Sequence, residues 1–317
     1  MESRPLGETG LRVSMLSFGC VELGLPYGIG VHSRADMLTD EQAVELLQTA
    51  LARGITFYDT APSYGTSEPL LGRAFADRRA QVVLCTKCPG LADEEGRALP
   101  RATLHDRLRT SLEASLKALR TDYVDVLMLH RVDEAVIAND EVAAEFADLK
   151  REGLIRAAGA STYPGGMTGR VIASRRWDVL QVAFNLLDQR ETAYLEAAAA
   201  AGIGVMVRSV LFKGILTDRG RVLHPALKAV QEQRERCVAA APAGMPLAEF
   251  ATRYAMSLAG VSSVLVGIDR LSYLEQALAV ATAGRLTPAQ VRQAAALAFP
   301  DPDFLDLPGW DRKGWLK

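Results

Sequence analysis

Eight short apolar runs, each followed by a segment with helical periodicity, constrain the fold of this chain more than any other feature. The runs are rich in β-branched residues, which is typical of parallel strands covered on both faces. They comprise Met15–Phe18, Ile55–Tyr58, Val82–Cys85, Val124–Leu129, Ile155–Ala158, Val179–Phe184, Ile203–Val207 and Val264–Val266. Regular alternation of strand and helix predicts a parallel α/β fold.

The helical segments carry their own start signals. Thr39–Gln42 is a capping-box sequence, and Thr287-Pro288 places proline at the first position of a later helix. Leucines spaced along Leu104–Leu119 form one apolar stripe. Asp140 is the expected N-cap of the helix that follows the fourth strand.

Two parallel architectures compete for eight such units. A doubly wound sheet that binds a dinucleotide usually carries GxGxxG after its first strand, whereas Gly24, Gly28 and Gly30 have another spacing. We therefore predict a (β/α)8 TIM barrel in one domain spanning 1–317. The long loops Leu23–Ser33 and Lys87–Pro100 then fit over an active-site mouth.

Composition excludes several classes of function. Of 317 residues 49% are apolar and 23% charged, and the net charge of −2 comes with no basic stripe for nucleic acid or an anionic membrane. The N-terminus lacks a signal-peptide pattern and no apolar run reaches about 20 residues, so we expect a cytoplasmic protein. Cys85 and Cys88 form a CxxC that begins in a predicted strand and lacks a second ligand pair, so we expect structural cysteines and no metal site.

Four ionisable residues lie where a barrel places its chemistry. Asp59 ends the second predicted strand and Tyr64 lies in the loop after it, while Lys87 and His130 end the third and fourth strands. The carboxyl ends of adjacent barrel strands meet at one mouth. We therefore expect these side chains to form one proton-transfer group.

The residue types suit that chemistry. A tyrosine hydroxyl is a poor acid near pH 7, and a neighbouring lysine cation lowers its pKa by stabilising the phenolate. Asp59 would hold Lys87, and His130 would hydrogen-bond the substrate oxygen. The set contains no nucleophile with its base, so hydrolysis is not indicated.

Three stretches resemble the aldo-keto reductase family. Gly54–Gly65 with Glu68–Gly72 is similar to its first signature, Leu112 with Thr121–Arg131 to its second, and Arg4–Ser14 to the hairpin that plugs the bottom of its barrel. The resemblance implies that Asp59, Tyr64, Lys87 and His130 are the catalytic tetrad of an NAD(P)-dependent enzyme. It also implies a C-terminal loop and tail over the active site.

The resemblance places the cofactor on residues of several strand ends and loops. They are Gly19, Cys20, Asp59, Ser161, Thr162, Gln181, Arg208, Ser209, Leu211, Lys213, Gly214, Gly267, Asp269, Arg270, Tyr273 and Gln276. Among them, the expected diphosphate contacts are Ser209, Leu211, Lys213 and Gly214. Thr162 stands where the family has asparagine at the nicotinamide amide, and Arg208 replaces the tyrosine on which nicotinamide stacks. We expect the charge of Arg208 to speed release of oxidised cofactor.

The residues expected at the adenine end of the cofactor do not decide between NADP and NAD. NADP is the family habit, but Gly267 and Tyr273 stand at positions that are often basic, and Gln276 replaces a common glutamate. Arg270 remains as a partner for a 2′-phosphate. Asp269 would repel that phosphate and suits a ribose hydroxyl.

The expected substrate contacts are Glu22, Tyr27, Tyr64, His130 and Arg131, whose polarity suggests a hydroxylated or charged compound such as a sugar derivative. Trp310 and Trp315 in the tail either close over substrate or pack against the barrel wall.

The sequence thus predicts hydride transfer between nicotinamide and an aldehyde, ketone or sugar derivative, with Tyr64 as acid and base. An isomerase or epimerase that retains its cofactor, and a non-enzymatic nicotinamide-binding module, are the alternatives. The exact substrate, the direction and the oligomeric state stay open.

Overall fold

The computed structural model describes residues 1–316. Eight parallel strands close into a barrel, as predicted, and each predicted run holds one of them with ends shifted by a few residues. After the hairpin strands β1 (Ser3–Pro5) and β2 (Arg12–Ser14), the barrel strands are β3 (Leu16–Gly19), β4 (Phe57–Asp59), β5 (Val83–Cys88), β6 (Val124–Leu129), β7 (Ile155–Ser161), β8 (Val179–Ala183), β9 (Gly204–Arg208) and β10 (Val261–Gly267).

The register of the barrel brings the predicted site residues to one edge. Strands pair in chain order and β10 closes against β3, so that Gly267 lies opposite Gly19 and Gly19 opposite Asp59. Across β7 and β8, Ser161 lies opposite Gln181. The carboxyl ends of all eight strands therefore face the same mouth, where α/β barrels hold their chemistry.

The helices surround the barrel and begin and end close to their sequence signals. They are α1 (Val21–Gly24), α2 (Asp40–Ala52), α3 (Ser67–Phe75), α4 (Arg101–Leu119), α5 (Glu134–Ile137), α6 (Asp140–Arg151), α7 (Met167–Ser174), α8 (Thr192–Ala200), α9 (Lys228–Ala240), α10 (Leu247–Ser257), α11 (Leu271–Ala283), α12 (Pro288–Ala295) and α13 (Leu307–Arg312). Short 3₁₀ turns include Phe212–Gly214 and Asp218–Arg221.

The capping predictions hold at two helices and fail at one. Thr39 and Thr287 accept the expected backbone hydrogen bonds from Gln42 and Gln290. Asp140 is the first residue of α6 instead of its cap, because the side chain of Asn139 accepts from the amides of Glu141 and Val142. Asparagine caps as well as aspartate does, so composition did not distinguish the two positions.

The β1–β2 hairpin plugs the amino end of the barrel. Leu6, Leu11 and Val13 pack with inward-facing strand residues such as Val126 and Met206 in a core separate from the one under the helices. Gly7 has φ +56°, and a side chain there would come within 2.3 Å of the Gly204 amide nitrogen. Glycine is required at this close approach.

The C-terminal tail packs on the loop after β9. Trp310 is buried and meets the ring of Phe212 edge-on, with ring centroids 5.8 Å apart. Asp311 forms a 2.7 Å ion pair with Lys213, and Trp315 stacks on His224. The tryptophans are therefore packing residues of the mouth region. Within residues 1–316, none of the helices has the length and apolarity to cross a bilayer.

Candidate active site

A buried ion pair lies at the centre of the mouth. Lys87 near the end of β5 donates to both carboxylate oxygens of Asp59 at 2.7 Å and to the carbonyl of Thr60 at 2.9 Å. Both side chains are about 98% shielded from solvent. Burial opposes the charge of the lysine, but the carboxylate of Asp59 outweighs it and raises the pKa of Lys87. Lys87 is therefore a fixed cation whose three N–H groups all have acceptors.

Asp59 is also the start of a hydrogen-bond chain across the barrel. The amide of Gln181 donates to Asp59 at 2.9 Å, and the hydroxyl of Ser161 donates to Gln181 at 3.2 Å. All three are buried. The structure thus connects two of the predicted cofactor residues to the predicted tetrad.

Tyr64 lies in the loop between β4 and α3, above this pair. Lys87 Nζ is 4.9 Å from the centroid of its ring. Burial raises the pKa of Tyr64, and Lys87 only partly offsets that effect because Asp59 neutralises the lysine. The prediction that the pKa of Tyr64 is lowered is therefore wrong, because the net shift is upward. The residue is a phenol at neutral pH.

His130 completes the group at the end of β6. Its ring meets that of Tyr64 edge-on with centroids 5.6 Å apart, and its Nδ1 is 3.4 Å from Ser63 Oγ. Burial, helped by the cation of Lys87, lowers the pKa of His130 to about 4. The imidazole is therefore neutral at pH 7 and has one N–H to donate. The structure brings all four predicted catalytic residues together.

Arg208 at the end of β9 is held by its neighbours. Its guanidinium donates to the carbonyl of Thr162 at 2.9 Å and to Ser209 Oγ at 3.1 Å, and it lies 4.3 Å from the ring centroid of Tyr163. The hydroxyl of Thr162 pairs with Thr168 at 2.7 Å. Thr162 thus turns its hydroxyl into the protein.

Glu191 is a buried acidic residue within electrostatic reach of Arg208 that sequence reasoning did not single out. It precedes α8, is 1% exposed, and both of its carboxyl oxygens are buried without a hydrogen-bond partner. Burial raises the pKa of Glu191, while Thr168 and Arg208 are among the groups that lower it. The polar run Asp188–Glu191 after β8 was the available signal.

The loop after β9 holds the predicted diphosphate contacts in strained backbone. Ser209 and Lys213 have φ of +62° and +57°, which non-glycine residues rarely adopt and which is frequent at ligand sites. Leu211 and Gly214 are partly exposed here. The amide of Ile29 donates to the carbonyl of Lys213 at 3.2 Å, so the long loop after β3 reaches over to this one.

The adenine end contains two arginines on one carboxylate. Arg219 Nη2 and Arg270 Nε lie 3.0 and 3.1 Å from the carboxylate oxygens of Asp269. Their guanidinium carbons are 5.3 and 4.9 Å from the ring centroid of Tyr273. Although burial opposes ionisation, hydrogen bonds from both arginines lower the pKa of Asp269. Sequence reasoning missed Arg219, whereas Gln276 is exposed on α11.

Four of the five predicted substrate residues lie near one another, since Tyr27 interacts electrostatically with Glu22 and Tyr64, and the Tyr64 ring meets that of His130. Arg131 is exposed and pairs with Asp133 at 3.1 Å. Glu22 lies on α1 against Gly267, and the ring of Tyr27 lies 4.9 Å from Lys213 Nζ. Glu22 and Tyr27 therefore lie beside predicted cofactor residues, away from Arg131.

The cofactor side of the mouth fits an elongated dianion. Four cations border it: Arg208 ends β9, Lys213 and Arg219 lie in the loop after β9, and Arg270 follows β10. Oε2 of Glu22 is a buried oxygen without a partner at its floor. Gly19 pairs with Gly267 there, and the amide of the buried Cys20 donates to the carbonyl of Asp59. Such a set of cations and unused polar atoms suits a dinucleotide diphosphate.

Cysteine and acidic side chains of the described residues do not cluster as metal ligands do. Cys85 and Cys88 are free and buried within β5, and residues 1–316 contain no group of three or more potential metal ligands.

Comparison with known proteins gives a consistent result. The model of the Aldo/keto reductase family matches residues 16–298. L-galactose dehydrogenase of Arabidopsis thaliana is 30% identical over 89% of this chain and 88% of its own length. NADH-specific methylglyoxal reductase of Escherichia coli is 30% identical over 68% of this chain and 69% of its own length.

A solved structure extends the similarity to the whole fold. The holo form of an aldo-keto reductase from Bacillus halodurans superposes with a TM-score of 0.78 at 25% identity, covering 94% of this chain and 96% of that one.

Proposed function

Because this chain belongs to the aldo-keto reductase family and is an NAD(P)-dependent oxidoreductase, we propose that it moves hydride between nicotinamide and a carbonyl or alcohol carbon with Tyr64 as acid and base. The observation that carries the proposal is the shielded Lys87–Asp59 pair beneath the Tyr64 ring. The nicotinamide, when bound, supplies or accepts the hydride.

Tyr64 moves the proton. In reduction its phenol donates to the carbonyl oxygen as negative charge develops there, and in oxidation the phenolate removes the proton from the alcohol. Lys87 is held by Asp59 and Thr60, and it acts on Tyr64 mainly through its charge. That charge is close enough to stabilise the phenolate once the proton has left.

His130 orients the substrate oxygen. Its pKa of about 4 keeps the ring neutral at physiological pH, so it donates a hydrogen bond without competing with Tyr64 for the proton. Tyr64 and His130 then approach the same oxygen from two sides, which their edge-on rings allow.

The cofactor proposal follows from Asp269. A 2′-phosphate needs free cationic donors, yet Arg219 and Arg270 are both committed to this carboxylate. We infer that NADH binds at least as tightly as NADPH. The name of the Escherichia coli relative, an NADH-specific reductase, supports this inference. Tenfold tighter binding of NADPH would contradict it.

The substrate proposal is a small hydroxylated carbonyl compound or the corresponding alcohol, including sugars. The name of one relative, an L-galactose dehydrogenase, supports a sugar, and that of another, a methylglyoxal reductase, supports a small carbonyl compound. The polar groups of the mouth, including Arg208 and Tyr27, offer hydrogen bonds to hydroxyl groups beyond the reacting carbon.

The test follows absorbance of NADH and NADPH with a panel of aldehydes, keto sugars, aldoses and polyols. Replacing Tyr64 with phenylalanine (Tyr64→Phe) should lower kcat by about 10²- to 10⁴-fold because the proton carrier is lost. Cofactor affinity should change by less than about threefold. Tyr194→Phe on α8, outside the four residues, is the matched control.

Other outcomes would remove the proposal. The wild type could bind nicotinamide but neither reduce nor oxidise any compound, with Tyr64→Phe behaving identically. That result would identify a non-enzymatic nicotinamide-binding module. Interconversion of sugars without net change in nicotinamide absorbance would identify an isomerase or epimerase.

A further inference from the structure

Glu22 is held in place by its short helix. The amide of Cys20, just before α1, donates to the carbonyl of Asp59 at 3.0 Å. On the other side a side chain on Gly24 would come within 1.8 Å of the Tyr64 carbonyl oxygen, so the helix backbone rests against the Tyr64 loop. The position of Glu22 is therefore tied to the catalytic loop.

The carboxyl group of Glu22 lies over the end of β10. A Cβ built on Gly267 would be 2.0 Å from Oε1 of Glu22, so only glycine leaves room for it. Oε2 is buried and has no hydrogen-bond partner in the described chain. A buried polar atom without a partner is unfavourable and rare in folded proteins. This oxygen is therefore available to a ligand.

The charged groups around Glu22 come from four elements. Asp269 follows β10, Arg219 lies in the 3₁₀ turn after β9, Asp59 ends β4, and Tyr27 lies in the loop after α1. Arg219, the nearby cation, is already paired with Asp269. Burial, the largest effect, raises the pKa of Glu22 to about 8. Near pH 7 Glu22 is therefore a carboxylic acid that can donate a hydrogen bond.

We propose that Glu22 is a proton-linked contact of the dinucleotide: as an acid it donates to a diphosphate oxygen, and as a carboxylate it repels that group. The inference rests on the proposed function for the identity of the ligand. Glu22 lies against Gly267 and interacts electrostatically with Arg219 and Tyr27. Tyr27 lies 4.9 Å from Lys213 Nζ, so Glu22 is close to the predicted diphosphate contacts. When Glu22 is a carboxylate, it must therefore take up a proton before the cofactor binds.

The experiment measures the Kd of NADH by fluorescence between about pH 6.5 and about pH 9.5, since NADH has no phosphate that titrates there. For the wild type, Kd should stay nearly constant to about pH 8 and then rise by up to about tenfold per pH unit. In Glu22→Gln, which keeps an N–H donor and cannot ionise, Kd should vary by less than about threefold over the range. Glu113→Gln on the exposed side of α4 is the control and should behave as the wild type.

Calorimetry of the wild type gives a second measurement that needs no variant to fold. Above about pH 8, binding should take up close to one proton, seen as a dependence of the observed enthalpy on the ionisation enthalpy of the buffer. Equal pH profiles for the wild type and Glu22→Gln, or buffer-independent enthalpy, would overturn this proposal alone. Absence of NADH and NADPH binding at every pH would overturn the proposed function as well.

Discussion

The two sides of the barrel mouth hold their charges in different ways. On the catalytic side, the side chains of Asp59 and Lys87 project from neighbouring strands and are 2% and 1% exposed. On the cofactor side, Arg219 and Asp269 come from two loops and are 23% and 11% exposed, and Arg270 is 45% exposed. The first pair is fixed by strand register, whereas the second depends on how two loops meet.

The difference separates chemistry from affinity. A buried pair has no alternative partner, so its geometry persists whether or not a ligand is present, and removing one member leaves the other charge stranded. A loop pair in contact with water contributes less to stability. Substitutions on the catalytic side should therefore affect turnover and stability, and those on the cofactor side should affect which nucleotide binds.

The largest effect is expected for Lys87→Met. It leaves the carboxylate of Asp59 buried and should lower the free energy of unfolding by about 3 to 5 kcal/mol. It should also lower kcat by at least about 10²-fold. Denaturant titration and steady-state kinetics measure the two effects.

The surface pair of Lys150 and Asp178 supplies the matched control. Its Nζ–Oδ2 distance is 2.8 Å, close to that of the buried pair, but Lys150 is 37% exposed. Lys150→Met should cost only about 0 to 1 kcal/mol. The double variant Asp59→Asn/Lys87→Met should regain much of the stability and none of the activity. If Lys87→Met and Lys150→Met lose similar free energies of unfolding, the distinction between buried and exposed pairs is wrong.

An intermediate effect is expected for Asp269→Asn. Without the carboxylate, Arg219 and Arg270 are free to bind a 2′-phosphate, so the affinity for NADPH relative to NADH should rise by about tenfold. Kd values for both nucleotides give the ratio. Asp218→Asn, in the loop that holds Arg219, removes an exposed partner of Arg221 and should leave the ratio unchanged. If Asp269→Asn leaves the ratio of the two Kd values unchanged, the pairing of Asp269 with Arg219 and Arg270 does not control nucleotide choice.

The smallest effect is expected for Arg208→Tyr. A neutral ring in place of the guanidinium removes a positive charge beside the cationic ring of oxidised nicotinamide, so release of the oxidised cofactor should slow by several-fold. Release of NADH, whose ring is neutral, serves as the internal control and should change less. Stopped-flow displacement measures both rates. Equal changes for the two redox forms would exclude an electrostatic role.

The sequence predicted those features of the molecule that the strands determine. The eight apolar runs and the residues at their ends gave the barrel and the grouping of Asp59, Lys87 and His130, because parallel register decides which ends meet. The contact of Arg219 with Asp269 and the position of Glu22 over Gly267 were not predictable, since each joins loops distant in sequence. The raised pKa of Tyr64 was missed because burial outweighs the charge of Lys87, and sequence does not give burial.

The anchored tail has a consequence for kinetics. Because Trp310 packs on Phe212 and Asp311 pairs with Lys213, the loop after β9 and the end of the chain are joined as one body. A movement that opens this loop must expose a buried indole and separate an ion pair at the same moment. The activation free energy for opening this loop therefore includes the loss of both contacts, and helix α13 contributes to the residence time of a ligand beneath the loop.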